Sequence, residues 1–291
     1  PGSWLGALLF AVHPVHVESV TPIFNFMGIL SSFFSLLAFL AFIKSQKEGR
    51  KGFFGFSVFL FACAVFSKEE ALILPAIFLL YDFYFLSDSS LKTFVGRLRR
   101  YAWFLVPIIF YIAARLFIMQ KDAALGFWSL DLGFSVTPTK LLALKLLSTF
   151  KIFFNYLGLL VFPFRLSAYY LLDDPLKLNG FQIFSSIFIV AGLVACAFYF
   201  AKKDKMISFF IFFFFISSFL ISNVLPIGGL FAERFMYFPS IAYCFLFAYV
   251  FLKIFAYFRQ NKNATGRLAT FLALIVVIGF YAQAAAARNY V

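Results

Sequence analysis

From Phe26 to Ile43 the chain reads FMGILSSFFSLLAFLAFI, 18 residues without a charge. About 20 such residues, coiled as a helix, cross a hydrocarbon core of about 30 Å. Backbone polar groups find no water there and must bond within their own segment, which a helix achieves. Similar runs recur along all 291 residues. The chain is 64% apolar and 13% charged, with 49 phenylalanines and a mean hydropathy of +0.96. An ordinary soluble domain is about 45–50% apolar and about 25% charged. The sequence therefore predicts an all-α polytopic membrane protein.

About nine crossings are expected, over roughly 1–12, 19–43, 52–66, 71–86, 101–118, 181–200, 207–223, 235–258 and 267–286. The loops KSQKEGRK (44–51), SDSSLKTFVGRLRR (87–100), AKKDK (201–205) and RQNKNATGR (259–267) are basic, which assigns them to the cytoplasmic side. The net charge of +13 is thus a matter of orientation rather than of nucleic-acid binding; no basic stripe with interleaved stacking aromatics stands outside the spans. All four basic loops share one side only if 119–180 stays on the other. The stretch 141–162 carries Lys145, Lys151 and Asn155, and is expected to be re-entrant or amphipathic against the outer surface; a crossing helix is the alternative. Cys63, Cys196 and Cys244 lie in apolar runs without metal-ligand spacing and read as small buried residues. Asp82 reads as interfacial at the cytoplasmic end of its span. The Asn263 glycosylation sequon is discounted because its loop is assigned to the cytoplasm.

Four polar islands then fall on the non-cytoplasmic face: HPVHVE (13–18), SKEE (67–70), FRLSAYYLLDD (164–174) and PIGGLFAERF (226–235). Charged groups at membrane depth usually face a cavity or a partner. His13 and His16 are the chain's two histidines, and with Glu18 they suit acid–base work, hydrogen bonding or metal ligation; interfacial capping is the plainer reading. In SKEE, Ser67 can cap a helix whose first turn holds Glu69 and Glu70, while Lys68 stands against the helix dipole and suits an anionic headgroup. Glu233 and Arg234 are adjacent, diverge by about 100° on a helix, and need separate partners. Arg234 offers a planar fork to phosphate, Arg115 a second contact, and snorkelling is the alternative for both. Asp173 and Asp174 precede Pro175 and read as turn residues or an acidic pair.

ALLFAVHPVHVESV, FSKEEALILPAIFLLYD and SNVLPIGGLFAERFMYFPSIAYC, in that order, resemble the transmembrane-and-tetratricopeptide-repeat (TMTC) O-mannosyltransferases and their prokaryotic relatives, members of the GT-C glycosyltransferases. The resemblance implies one GT-C-like transmembrane domain over 1–291. It places an N-terminal span and a first external loop with an acidic catalytic motif ahead of Pro1, and tetratricopeptide repeats after ARNYV. It implies O-mannosylation-like transfer of a sugar from a polyprenyl-phosphate lipid to a Ser or Thr hydroxyl of a protein, on the outer face of a bacterial or archaeal cytoplasmic membrane or of the endoplasmic reticulum. His13, His16, Glu18 and Glu233 would serve the acceptor and sugar, while Lys68, Arg234 and Arg115 would hold the lipid phosphate. The lipid donor and the protein acceptor are the expected partners; a divalent metal is compatible with His13, His16 and Glu18 but not required. The stretch after Glu18 departs from the relatives, with Asn25 and Phe26 where Gly and Arg of a Gly-Arg-x-Asp stretch would stand. A transporter or flippase and an inactive lipid-binding scaffold are the competing expectations.

Overall fold

The computed structural model describes residues 2–87, 91–118, 138–164, 166–167, 180–222 and 231–288. Asp173, Asp174 and most of 164–174 lie outside them, as do residues 223–230 and the side chain of Lys145. Every regular element among the described residues is helical. They are α1 (Gly2–Val12), the single turn α2 (Val17–Val20), α3 (Phe26–Glu48), α4 (Lys51–Ser67), α5 (Leu74–Tyr81), α6 (Leu91–Arg97), α7 (Leu105–Ile118), α8 (Pro138–Val161), α9 (Gly180–Lys203), α10 (Lys205–Ser218), α11 (Ser240–Gln260) and α12 (Ala264–Arg288).

Five helical stretches are long and apolar enough to cross a bilayer: Ile23–Glu48, Leu98–Ile118, Gly180–Lys203, Ser240–Gln260 and Ala264–Arg288. Gly2–Val12, Lys51–Ser67, Leu147–Val161 and Lys205–Ser218 are shorter apolar helices. Large apolar side chains stand bare on the outside, among them Phe117 at 90% and Phe181 at 78% exposure. Water would not tolerate such a coat and lipid does. The protein is an all-α membrane protein.

The tightest packing is the α3–α4 hairpin, which Gly49 turns with a left-handed backbone (φ 68°). Serines let the two backbones approach. The Ser31 hydroxyl donates to the Ala64 carbonyl at 3.0 Å, and Ser57 returns the bond to Ala38 at 2.7 Å. Aromatic rings fill the next layer, Phe42 stacking on Phe78 with centroids 4.7 Å apart and Phe104 meeting Phe78 edge-on. The second span starts later than the expected residue 19: Pro22 stands extended between α2 and a 3-10 turn at Ile23–Asn25, and α3 begins at Phe26.

The basic loops gather at one end. Arg97 donates to Gln46 Oε1 at 2.7 Å, joining the last turn of α3 to α6. Asp204 caps α10 and pairs with Lys253 of α11. At this end α5 runs into a π turn at Asp82–Leu86. Asp82 is not interfacial as expected but buried, 1% exposed. It meets Arg97 Nε at 3.2 Å and accepts from Tyr101 at 2.6 Å and Ser87 at 2.7 Å, so every charge-bearing oxygen is bonded. Cys244 is buried as expected, whereas Cys63 and Cys196 are partly exposed.

The other end holds the turns 13–25, 68–73 and 233–239, and the second half of α8 contacts it while α8 also packs against α9. Thr149 donates to the carbonyl of Ser222, just past α10; Phe153 packs on Phe215 in the last turn of α10; Tyr156 stacks on Phe231; and the Leu160 carbonyl accepts from Tyr281 at 3.0 Å.

Because Asp82 is neutralised inside the bundle, Asp82→Ala strands the Arg97 guanidinium. We expect a loss of about 3 kcal/mol, read as earlier denaturant-induced unfolding of the detergent-solubilised chain. Unchanged unfolding would show that Asp82 is hydrated.

Candidate functional site

At His13 the chain leaves α1. Pro14 occupies the first position of a 3-10 turn, and the extended His13 caps it by accepting the Val15 N–H on Nδ1 at 3.2 Å. With Nδ1 accepting, Nε2 carries the proton and donates to the Leu160 carbonyl at 3.0 Å. His16 meets the Ser240 hydroxyl at 2.7 Å. The same hydroxyl lies 2.9 Å from the Tyr237 carbonyl, and the His16 ring also meets the Phe10 carbonyl. Phe10 and Tyr237 pack on the His16 ring and on each other, with centroids 4.1, 5.0 and 5.3 Å apart. Both rings are buried. The two histidines thus clamp the end of α1 to α8 and α11.

Burial pushes both imidazoles below their ordinary value. For His16 the neighbouring His13 adds to the effect, and the carbonyls of Leu160 and Phe10 oppose it at His13 and His16 respectively.

Two residues further on, Glu18 reaches across the chain. One carboxylate oxygen accepts the Arg234 guanidinium at 2.6 Å and the other the Arg234 backbone N–H at 3.0 Å. Ser19 donates to the Arg234 carbonyl at 3.4 Å, and Asn25 Nδ2 donates to the Glu18 carbonyl at 2.6 Å. Glu18 is sunk at 6% side-chain exposure, while Arg234 keeps 31%. The pair therefore presents its cationic half outward.

Lys68 makes a second pair. The chain is extended there (φ −160°, ψ 138°), and Nζ turns to Glu70 at 2.6 Å. Ser67 does not cap the next helix as expected; its hydroxyl bonds back to Cys63 at 2.7 Å. The two cations flank one ring: Lys68 Nζ and the Arg234 guanidinium carbon each lie 5.3 Å from the centroid of Phe235. Burial holds the Glu70 carboxyl above the usual carboxylate range, against the pull of Lys68, and Arg234 also acts on it.

Glu233 and Arg234 do have separate partners. Glu233 is fully buried, accepts the Ser167 N–H at 2.6 Å and lies 4.0 Å from Arg288 Nε. Between the end of α8, α11 and α12, Val161, Phe164, Tyr243, Phe247, Val277 and Phe280 line an apolar cleft of about 340 Å³.

Of the expected residues, Glu18, Lys68 and Arg234 form one cluster, with Glu233 next to Arg234 but turned to Ser167 and Arg288. His13 and His16 lie behind it as clamps. Arg115 on α7 donates to Tyr111 one turn back at 2.8 Å, while Glu18, Glu70 and Glu233 face other cations. His13, His16 and Glu18 aim their donor atoms at three different partners, and among the described residues no group of three His, Cys, Asp or Glu could hold a metal. Glu70 and Arg288 belong to the site and escaped sequence reasoning. Glu70 looks like a first-turn acid, and only the extended backbone at Lys68 lets residues two apart meet.

No protein-family model, curated protein or solved structure matches the chain.

A histidine buried neutral binds fewer protons than its unfolded counterpart, so stability rises with pH across the window below the ordinary imidazole value of 6.5. Acidification through that window should lower the unfolding midpoint. The double variant His13→Gln/His16→Gln should be less stable at neutral pH and lose much of the acid sensitivity. An equal acid slope in both proteins would assign it to other groups.

Proposed function

We propose that the chain is the membrane domain of a GT-C-like glycosyltransferase that moves a sugar from a polyprenyl-phosphate lipid to a protein hydroxyl on the non-cytoplasmic face. The observation that carries this reading is the pair of partly exposed cations, Lys68 and Arg234, each 5.3 Å from the Phe235 ring centroid at the end of the bundle opposite the basic loops. A lipid phosphate leaving an anomeric carbon gains charge, and preorganised cations lower the barrier to its departure. Glu18 and Glu70 hold the two cations in place and balance them before the donor arrives. Arg234 spends part of its planar fork on Glu18 and keeps an exposed edge for phosphate oxygens. The acceptor hydroxyl attacks the anomeric carbon, the bond to phosphate breaks, and the hydroxyl proton passes to a carboxylate base. The apolar cleft between α11 and α12 suits prenyl units.

This reading includes nine crossings: the five long stretches, α1, α4, α10, and α5 with its π turn. The contacts of Thr149 through Leu160 support α8 as a segment lying across the outer helix ends rather than a crossing. The four basic loops are then cytoplasmic. Concentration of the paired charges at helix ends, instead of at mid-depth, favours an enzyme over a transporter.

Two experiments test the proposal. Full-length protein is incubated with radiolabelled polyprenyl-phosphate sugars and acceptor protein. Arg234→Ala and Lys68→Ala, shown to be folded, should each lower transfer by about 10²–10³. Wild-type protein that transfers no sugar yet retains lipid phosphate would instead be a scaffold. In intact cells, an impermeant maleimide should label Ile23→Cys and spare Lys47→Cys and Lys262→Cys; the reverse pattern would invert the topology.

A further inference from the structure

A cleft that lies away from this site opens at the basic end. It encloses about 750 Å³ between the close of α3, the Gly49 turn, the start of α4 and the segment leading into α7. Its lower wall carries Arg50, Lys51 and Arg100; Gly55, Val58 and Trp103 line its apolar wall. We infer that this cleft binds the headgroup of an anionic phospholipid, with the acyl chains leaving along Gly55 and Trp103.

Four features converge on that ligand. First, the cleft is graded: cations lie at the depth of the basic loops, and apolar surface continues towards the bilayer. A soluble phosphate would use the first and have no need of the second. Second, Arg97 in the same wall is committed to Asp82, Gln46 and the Leu86 carbonyl, so it fixes the wall. Arg100 reaches Gln46 only at 3.4 Å and is exposed, and Arg50 touches Glu48 at 3.5 Å with 72% of its side chain exposed. Among the described residues the acid beside Arg50 is Glu48, which also faces Lys44 at 3.9 Å and so cannot neutralise three cations. Third, α4 begins here without a side-chain cap, so its first N–H groups add positive potential beside Lys51. Fourth, a side chain at Gly55 would meet nothing within 4 Å, so open space runs along the helix where an acyl chain would lie. Trp103, 64% exposed, offers the amphipathic ring that favours the headgroup boundary.

The inference is independent of the glycosyltransferase reading. The full-length protein carrying Trp4→Phe and Trp128→Phe, which leaves Trp103 as the remaining described tryptophan of the three, is placed in nanodiscs of neutral phospholipid. A minor fraction of acyl-brominated phosphatidylglycerol or phosphatidylcholine is added. Quenching of Trp103 should favour phosphatidylglycerol by about a hundredfold in apparent affinity, the scale expected of three cations near an anionic surface. Arg50→Gln/Lys51→Gln/Arg100→Gln should abolish the preference. Gly55→Leu, which changes no charge, should weaken quenching by both lipids. The equally charged control Lys202→Gln/Arg259→Gln/Lys262→Gln should retain it. Equal quenching by the two lipids, or a preference that survives the triple variant, overturns the assignment. Displacement of the brominated lipid by inorganic phosphate alone would make the cleft a soluble-anion site and also overturn it.

Discussion

The Glu18–Arg234 pair fixes the end of this bundle opposite the basic loops. A carboxylate sunk among lipid-facing helices keeps its charge only where donors meet it. Glu18 receives two, the guanidinium and the backbone N–H of the same residue, 216 positions away. That geometry sets the position of residue 234 as well as its charge, and with it the Phe235 ring and the start of α11. His13 and His16 repeat the device with neutral groups, tying α1 to α8 and α11. The early and late parts of the chain are thus joined by polar contacts, because apolar packing alone gives little direction in lipid.

Both ends bury an acid beneath a cation. At the basic end Asp82 is enclosed by Arg97, Tyr101 and Ser87, and the arrangement serves packing. At the opposite end Glu18 is likewise the deeper partner of Arg234, but here Arg234 and Lys68 converge on the Phe235 ring. Two partly exposed cations at one ring suit an anionic ligand, and this convergence is why the functional proposal rests there.

Much of this was legible in the sequence. Apolar runs located the helices, Lys and Arg in short loops located one end, and the polar islands located the other. The partners were less accessible. Nothing in HPVHVE says that Glu18 answers Arg234, since the fold alone brings them together. Two histidines in a greasy chain look reactive, yet every nitrogen whose bond is described serves a structural contact. Asp82 looked interfacial because its distance from the basic loop is short in sequence, but that proximity is what lets Arg97 fold back and bury it. The start of α3 was misjudged because hydropathy continues through Pro22 while helical geometry does not.

The most direct measurement is photo-crosslinking of the full-length protein with a polyprenyl phosphate carrying a photoreactive group in its first prenyl unit, followed by peptide mapping. The account predicts adducts on residues 68–73 and 231–238, competed by unlabelled polyprenyl phosphate and not by the neutral polyprenol, and lost in Lys68→Ala/Arg234→Ala. Adducts confined to the basic end, or equal competition by the neutral alcohol, would contradict it.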